Sequence, residues 1–208
     1  MRIQSKLEEQ LNAWSHGFGV LLGVVALVLL IINVDNHTPQ SLFSVIVYGV
    51  SVIVLFLAST CYHAVTDKKL KHYFRVVDHI SIYLLIAGTY TPVLLVLLTN
   101  SLGWPLFWTV WGIAVFGVVL KLFFTGKFEV LSTLLYLVMG WLIVFDYANV
   151  SEALGKDGIF WLFAGGFFYT VGIVFYAINK IPFNHVIWHF FVLGGAICHF
   201  FMIFLHVI

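Results

Sequence analysis

Seven apolar stretches, separated only by short polar breaks, constrain this chain more than any other feature. They fall near residues 16–33, 41–64, 75–98, 104–124, 130–148, 158–179 and 184–206. The breaks read "NVDNHTPQ", "TDKKLKHYFR", "TNSLGWP", "TGKFE", "DYANVSEALGKDG" and "NKIPFN". A helix that crosses a bilayer needs about 20 consecutive, mostly apolar residues, and each stretch approaches or exceeds that length. Only 9% of residues are charged and 62% are hydrophobic, against about 25% charged in a soluble domain. Too little polar side chain is present to coat a water-facing surface.

Helices are the expected spanning form, because irregular backbone exposed to lipid leaves polar groups unsatisfied. A transmembrane β-barrel would show alternation along each strand, whereas these stretches are apolar on all sides. The expectation is an all-α membrane protein, a single domain over 1–208 built as a seven-transmembrane helix bundle with consecutive helices antiparallel.

The basic residues orient the bundle. With the N-terminus inside, Arg2, Lys6, Lys68, Lys69, Lys71, Arg75, Lys121, Lys127 and Lys180 fall on the cytoplasmic side and Lys156 alone outside. The opposite orientation violates the positive-inside rule. The N-terminus is therefore expected in the cytoplasm and the C-terminus outside. Residues 1–15 lack the basic end, apolar core and small-residue cleavage site of a secretory signal, and read as an amphipathic cytoplasmic lead-in. A net charge of +1 gives no field to attract nucleic acid. Cys61 and Cys198 sit inside apolar segments and read as packed thiols. Gly19 and Gly23 have the small-xxx-small spacing that lets two helices meet closely. Pro92 is expected to kink the third helix, with nearby Thr side chains engaging freed backbone groups.

Ionisable residues in membrane helices face a bundle interior or a cavity, so their depths matter. His63 closes the second helix, Asp78 and His79 open the third, and His185 and His189 open the seventh. His16 opens the first. All lie at the cytoplasmic end. His185 and His189, at i and i+4, share one helical face with Cβ atoms about 5–6 Å apart, a geometry suited to two ligands of one metal. A third imidazole would complete a three-histidine zinc (Zn2+) site with a position left for water, and His63 is the best placed. Ser59 lies one turn deeper on the same face and is positioned to hold a ligand or water. Asp78 is a fourth ligand or a proton acceptor. His79 is the alternative to Asp78, but adjacent helical positions diverge by about 100°, so one of the two faces the site. The competing reading is that the histidines only hydrogen-bond neighbouring helices.

Other polar and aromatic residues have simpler readings. His199 lies about 15 Å deeper than His189 and is expected to link helices inside the bundle. His37, His72 and His206 are expected in water. Trp14, Trp104, Trp108, Trp141 and Trp161 read as interfacial anchors, while Trp188 sits between the two histidines of the seventh helix.

The segments "SHGFG", "STCYH", "DHISIYLLIAGTYTP" and "HVIWHFFVLGGAICHF" closely resemble the bacterial hemolysin III proteins of the progestin and adipoQ receptor superfamily, over essentially the whole chain. The resemblance implies a seven-span bundle with His63, His185 and His189 as zinc ligands, Asp78 holding a water at the metal and Ser59 supporting it. It also implies membrane lipids as partners and a bacterial plasma-membrane location. Three activities follow as expectations. One is zinc-dependent hydrolysis of lipid amides or esters, as in the ceramidase-like branch. The second is non-enzymatic regulation of membrane-lipid homeostasis with structural zinc. The third is pore formation, which would favour a polar stripe through the bilayer, whereas the polar residues concentrate at the inner end.

Overall fold

A computed structural model describes residues 4–35 and 38–208; Arg2 and His37 lie outside the described residues. The chain forms α1 (Lys6–Asn33), α2 (Ser41–Ala64), α3 (Lys68–Pro92), α4 (Gly103–Phe124), α5 (Glu129–Trp141), α6 (Tyr147–Ala177) and α7 (Asn184–His206). A π-helical turn, Val93–Leu97, extends α3, and a 3-10 turn, Leu142–Asp146, joins α5 to α6. The described residues contain no strand. By length and composition, six runs can cross a membrane, with Glu129–Ala177 counted as one run of 49 residues.

A straight helix of that length would extend about 70 Å, more than twice the hydrocarbon core of a bilayer. The run is instead broken at Gly155, where φ is 64° and ψ −176°, a backbone region open essentially to glycine alone. Trp141 Nε1 donates to Thr170 Oγ1 at 3.3 Å, and the Tyr147 and Phe163 rings lie 6.1 Å apart. Both pairs are centred on Gly155, so the chain doubles back there. The sequence suggested a loop over 146–158, but helix continues to Leu154 and only Gly155 interrupts it. The residues between, "YANVSEAL", contain no helix breaker.

Two other boundaries also shift. α3 begins at Lys68 rather than near 75, because Asp67 caps it by accepting from the Lys69 and Leu70 backbone N–H groups at 3.1 and 2.9 Å. α1 begins in the lead-in, closed by a reciprocal box in which Ser5 N donates to Glu8 Oε2 and Glu8 N donates to Ser5 Oγ. From there it runs unbroken into the first apolar stretch. Its amphipathicity faces inside out: Glu8, Asn12, Ser15 and His16 are buried, while Leu7, Leu11, Phe18 and above all Trp14, 78% exposed, point away from the bundle.

α1 packs on α2 and also on α7, so the first and last helices lie side by side. The Gly19 and Gly23 spacing marks where α2 rests on α1. A Cβ on Gly19 would lie 2.6 Å from the Phe56 ring, and one on Gly23 would lie 3.1 Å from Ile53. α3 touches α2, α4 and α5. Near Pro92, Thr89 Oγ1 donates to Leu85 O and Thr91 Oγ1 to Ala87 O, both at 2.8 Å, and the helix then widens into its π turn. Cys61 and Cys198 are free thiols, half-buried and buried.

Candidate metal centre

α2 ends one residue after His63, and α7 begins one residue before His185. Asn184 fixes the start of α7, its Nδ2 donating to Phe175 O near the end of α6 at 3.1 Å. The preceding residue, Phe183, takes a left-handed conformation with φ 55°, which ends the "NKIP" connection and turns the chain into the helix. His63, His185 and His189 converge: one ring nitrogen of each lies within 4.8 Å of the others. Ring centroids are 4.7 Å apart for His185 and His189, 4.9 Å for His63 and His189, and 5.2 Å for His63 and His185. Among the described residues these three form the one group able to hold a metal ion.

The hydrogen bonds around them leave nitrogens free for a metal. His63 Nδ1–H donates to Glu9 Oε2 at 2.7 Å, and its Nε2 is buried with no partner. A buried imidazole lone pair with no protein partner, at the meeting point of three histidines, fits a metal ligand. Ser15 donates to Asn12 O at 3.0 Å and offers its oxygen to His189 Nδ1 at 3.4 Å. Glu9 Oε1 in turn pairs with Lys71 Nζ at 3.0 Å, and that ammonium also donates to Tyr62 O. His16 stacks against His189 with centroids 3.6 Å apart.

Ser59 and Asp78 line a small cavity of about 30 Å³ together with His16, His79, His185 and His189. That volume suits a water molecule. Asp78 is not one of the converging ligands but borders the space in front of them. Asp78 and His79 both border this cavity, where one of the two was expected; the His79 ring nitrogens are engaged on its far side, with Nδ1–H donating to Arg75 O at 2.7 Å and Nε2 lying 3.9 Å from Glu129. There His79 joins a second polar knot, in which Glu129 accepts from buried Lys121 at 2.9 Å and from Arg75 at 3.2 Å.

A larger cavity of about 140 Å³, almost wholly apolar, adjoins the small one deeper in the bundle. Leu55, Ile82, Tyr176, Trp188 and Val192 line both. His199 lies on the deep cavity's wall, and its Nε2–H donates to Leu162 O at 3.3 Å, the helix-to-helix link expected of it. His72 is exposed as expected. His206 is not in open water: it is half-buried and packs over Gly158, where a Cβ would lie 3.1 Å from its ring. Trp14, Trp104, Trp108 and Trp141 are exposed, while Trp161 is half-buried against Phe201 at 5.2 Å.

Residues 4–200 match the family model described as "Haemolysin-III related". The chain belongs to that family. Over 202 residues it is 45% identical to Hemolysin-3 of Bacillus cereus, covering 97% of this chain and 92% of that protein. Over 197 residues it is 47% identical to the Hemolysin-3 homolog of Bacillus subtilis strain 168, covering 94% and 92%. It is also 31% identical over 203 residues to Monocyte to macrophage differentiation factor of Homo sapiens, covering 94% and 83%. Family membership and the six apolar runs together make this a multi-pass membrane protein.

Glu9, Ser15 and His16 complete the surroundings of the three histidines, and the sequence assigned Glu9 and Ser15 no role there. The available signal was the polar series Glu8, Asn12, Ser15 at helical spacing, continued by Gly19. It marks a buried stripe if the apolar face of the lead-in meets lipid, and a hydrated one if it does not.

Proposed function

We propose that this protein is a zinc-dependent hydrolase acting on an amide or ester bond of a membrane lipid. It sits in the bacterial plasma membrane as seven helices, N-terminus inside and C-terminus outside. The distribution of basic residues supports the orientation, and the reversal at Gly155 supports two passes within Glu129–Ala177. The observation that carries the reading is the adjacency of the two cavities, which share Leu55, Ile82, Tyr176, Trp188 and Val192 as a common wall. A space of about 30 Å³, bordered by Asp78, Ser59, His185 and His189, lies against an apolar space of about 140 Å³, an arrangement suited to a lipid's reactive carbonyl and its acyl chain.

His63, His185 and His189 would hold the metal, and zinc bound there supplies Lewis acidity and lowers the pKa of a water to about 7. The remaining steps belong to the protein. Asp78 takes the proton of the attacking water as its oxygen bonds to the carbonyl carbon. Asp78 then returns the proton to the departing amine or alcohol as the C–N or C–O bond breaks. Ser59 orients the water or the carboxylate from α2. Trp188 and Tyr176, shared by both cavities, hold the chain next to the reacting carbonyl.

Purified protein with stoichiometric zinc should hydrolyse ceramide, another N-acyl lipid or an ester lipid, with His189→Ala inactive. Full zinc occupancy with no turnover of any of these above the His189→Ala background would defeat the reading. One observation favours a purely structural metal: the ligands come from α2 and α7, and α1 packs against both, so a metal would tie the bundle shut. Removing zinc would then lower the melting temperature with no turnover to lose.

A further inference from the structure

We propose that Glu9, on a helix that supplies no metal ligand, is the positioning residue that makes His63 a ligand. The inference rests on the zinc reading above and deepens it. The His63 side chain is wholly buried, and its Nδ1 lies 2.7 Å from Glu9 Oε2. A carboxylate only accepts, so the proton of the neutral imidazole sits on Nδ1 and the lone pair on Nε2. Nε2 is the nitrogen with no protein partner. With the other tautomer, Nδ1 would present a lone pair to a carboxylate and Nε2 would present a proton to the metal position. Ligating histidines commonly donate their second N–H to a carboxylate or carbonyl, which fixes ring orientation and raises ligand basicity.

Glu9 is itself held in place. Lys71 Nζ pairs with its other oxygen at 3.0 Å, and is anchored by donating to Tyr62 O at 3.0 Å and Val65 O at 3.4 Å. Those carbonyls flank His63 at the end of α2. The brace therefore closes a ring from α2 through α3 and α1 back to the α2 ligand. It exists because Asp67 starts α3 early enough to bring Lys71 within reach, and because α1 faces its polar stripe inward. Less than two turns further along α1, Ser15 accepts from His189 Nδ1, so the same helix braces one ligand on α2 and one on α7.

The test is zinc affinity of the full-length protein in detergent, measured by competition with a chromogenic chelator, for wild type and Glu9→Gln. Gln keeps the size and a hydrogen bond but not the acceptor-only character. Glu9→Gln should still bind one zinc, about 10–100-fold more weakly, while the zinc-free protein melts near the wild-type temperature. A merely structural role would instead lower the zinc-free melting temperature and leave the affinity unchanged, which overturns the proposal. Wild-type protein that binds no zinc overturns the metal reading and this inference together. Wild-type protein that binds zinc no more tightly than Glu9→Gln overturns the role of Glu9 alone. If Glu9→Gln does not accumulate, Glu9→Asp retains the charge for Lys71 while withdrawing it from His63. It should weaken zinc several-fold, and wild-type affinity in that variant overturns the proposal.

Discussion

His16 of α1 lies flat on His189 of α7, the two rings 3.6 Å apart and within 10° of parallel. His16 is buried and neither of its ring nitrogens has a hydrogen-bond partner. His16 also borders the small cavity, and its contact with the protein is the packing of its ring between His189 and Phe56, which is what supports the fold. His16→Phe keeps an aromatic plate over His189 and removes both ring nitrogens. Its zinc-free melting temperature should equal or exceed that of wild type, with zinc stoichiometry unchanged. His16→Ala leaves a hole between His189 and Phe56 and should lose about 2–4 kcal/mol. Thermal melts of the two variants separate the packing role from a polar one.

The approach of Gly19 to Phe56 sets how closely α1 and α2 pack. A Cβ on Gly19 would lie 2.6 Å from the Phe56 ring, so Gly19→Ala should destabilise by about 1–3 kcal/mol through overpacking. Because the clash is with a side chain, Phe56→Leu made in the same molecule should recover part of the loss. A double-mutant cycle in thermal or denaturant unfolding measures the coupling; simple additivity of the two losses would show that the strain lies elsewhere.

Gly155 is required for its backbone, not its size. Nothing lies within 4 Å of a Cβ built there, but φ is +64° and ψ −176°. Gly155→Ala should cost about 1–3 kcal/mol. Gly155→Asn should do no better, since asparagine relieves the left-handed helical region, with ψ near about +47°, and this residue is not in it. Melting temperatures of the two variants should fall together, and full rescue by Asn would contradict the observed conformation.

The knot on the other side of α3 is stabilised by charge pairing. Lys121 is 1% exposed, and Glu129 accepts from it at 2.9 Å while also accepting from Arg75 and from Gly126 N. Removing the carboxylate strands a buried ammonium, so Glu129→Gln should cost about 3 kcal/mol. Lys121→Met should cost less, because Glu129 is partly exposed and keeps two donors. Lys121→Met combined with Glu129→Gln should be more stable than Glu129→Gln alone, as read by thermal unfolding.

The centre was legible where helical geometry and depth sufficed. Four residues of spacing put His185 and His189 on one face, and the alternation of spans put His63 at their depth, but the turn per residue did not separate Asp78 from His79, which both border the cavity. Glu9 and Ser15 were not legible, because an amphipathic lead-in has the same pattern whether its polar face meets water or a protein interior. Packing against α2 and α7 decides which, and that contact joins the two ends of the chain. The fold misled in the same way at 146–158: polar residues suggested a loop, but they are compatible with helix, and only the one residue with a glycine-specific backbone breaks it. His206 looked hydrated by its depth near the outer surface, and is half-buried because Gly158 leaves room beneath it.

The apolar cavity gives the lipid reading a test independent of the metal. Gly166 lines it, and the nearest atom to a Cβ placed there belongs to Trp141 at 4.0 Å, so a side chain can start from this position without a backbone or Cβ clash. Gly166→Leu should leave zinc content and melting temperature at wild-type values while occupying part of the space proposed for an acyl chain. Hydrolysis of long-chain substrates should fall about tenfold, the effect of roughly 1.4 kcal/mol of lost transition-state binding, with short-chain analogues much less affected. The comparison is made as kcat/KM across a series of acyl lengths. Equal loss at every length would place the chain outside this cavity, because only steric exclusion from the cavity depends on how far the chain must reach.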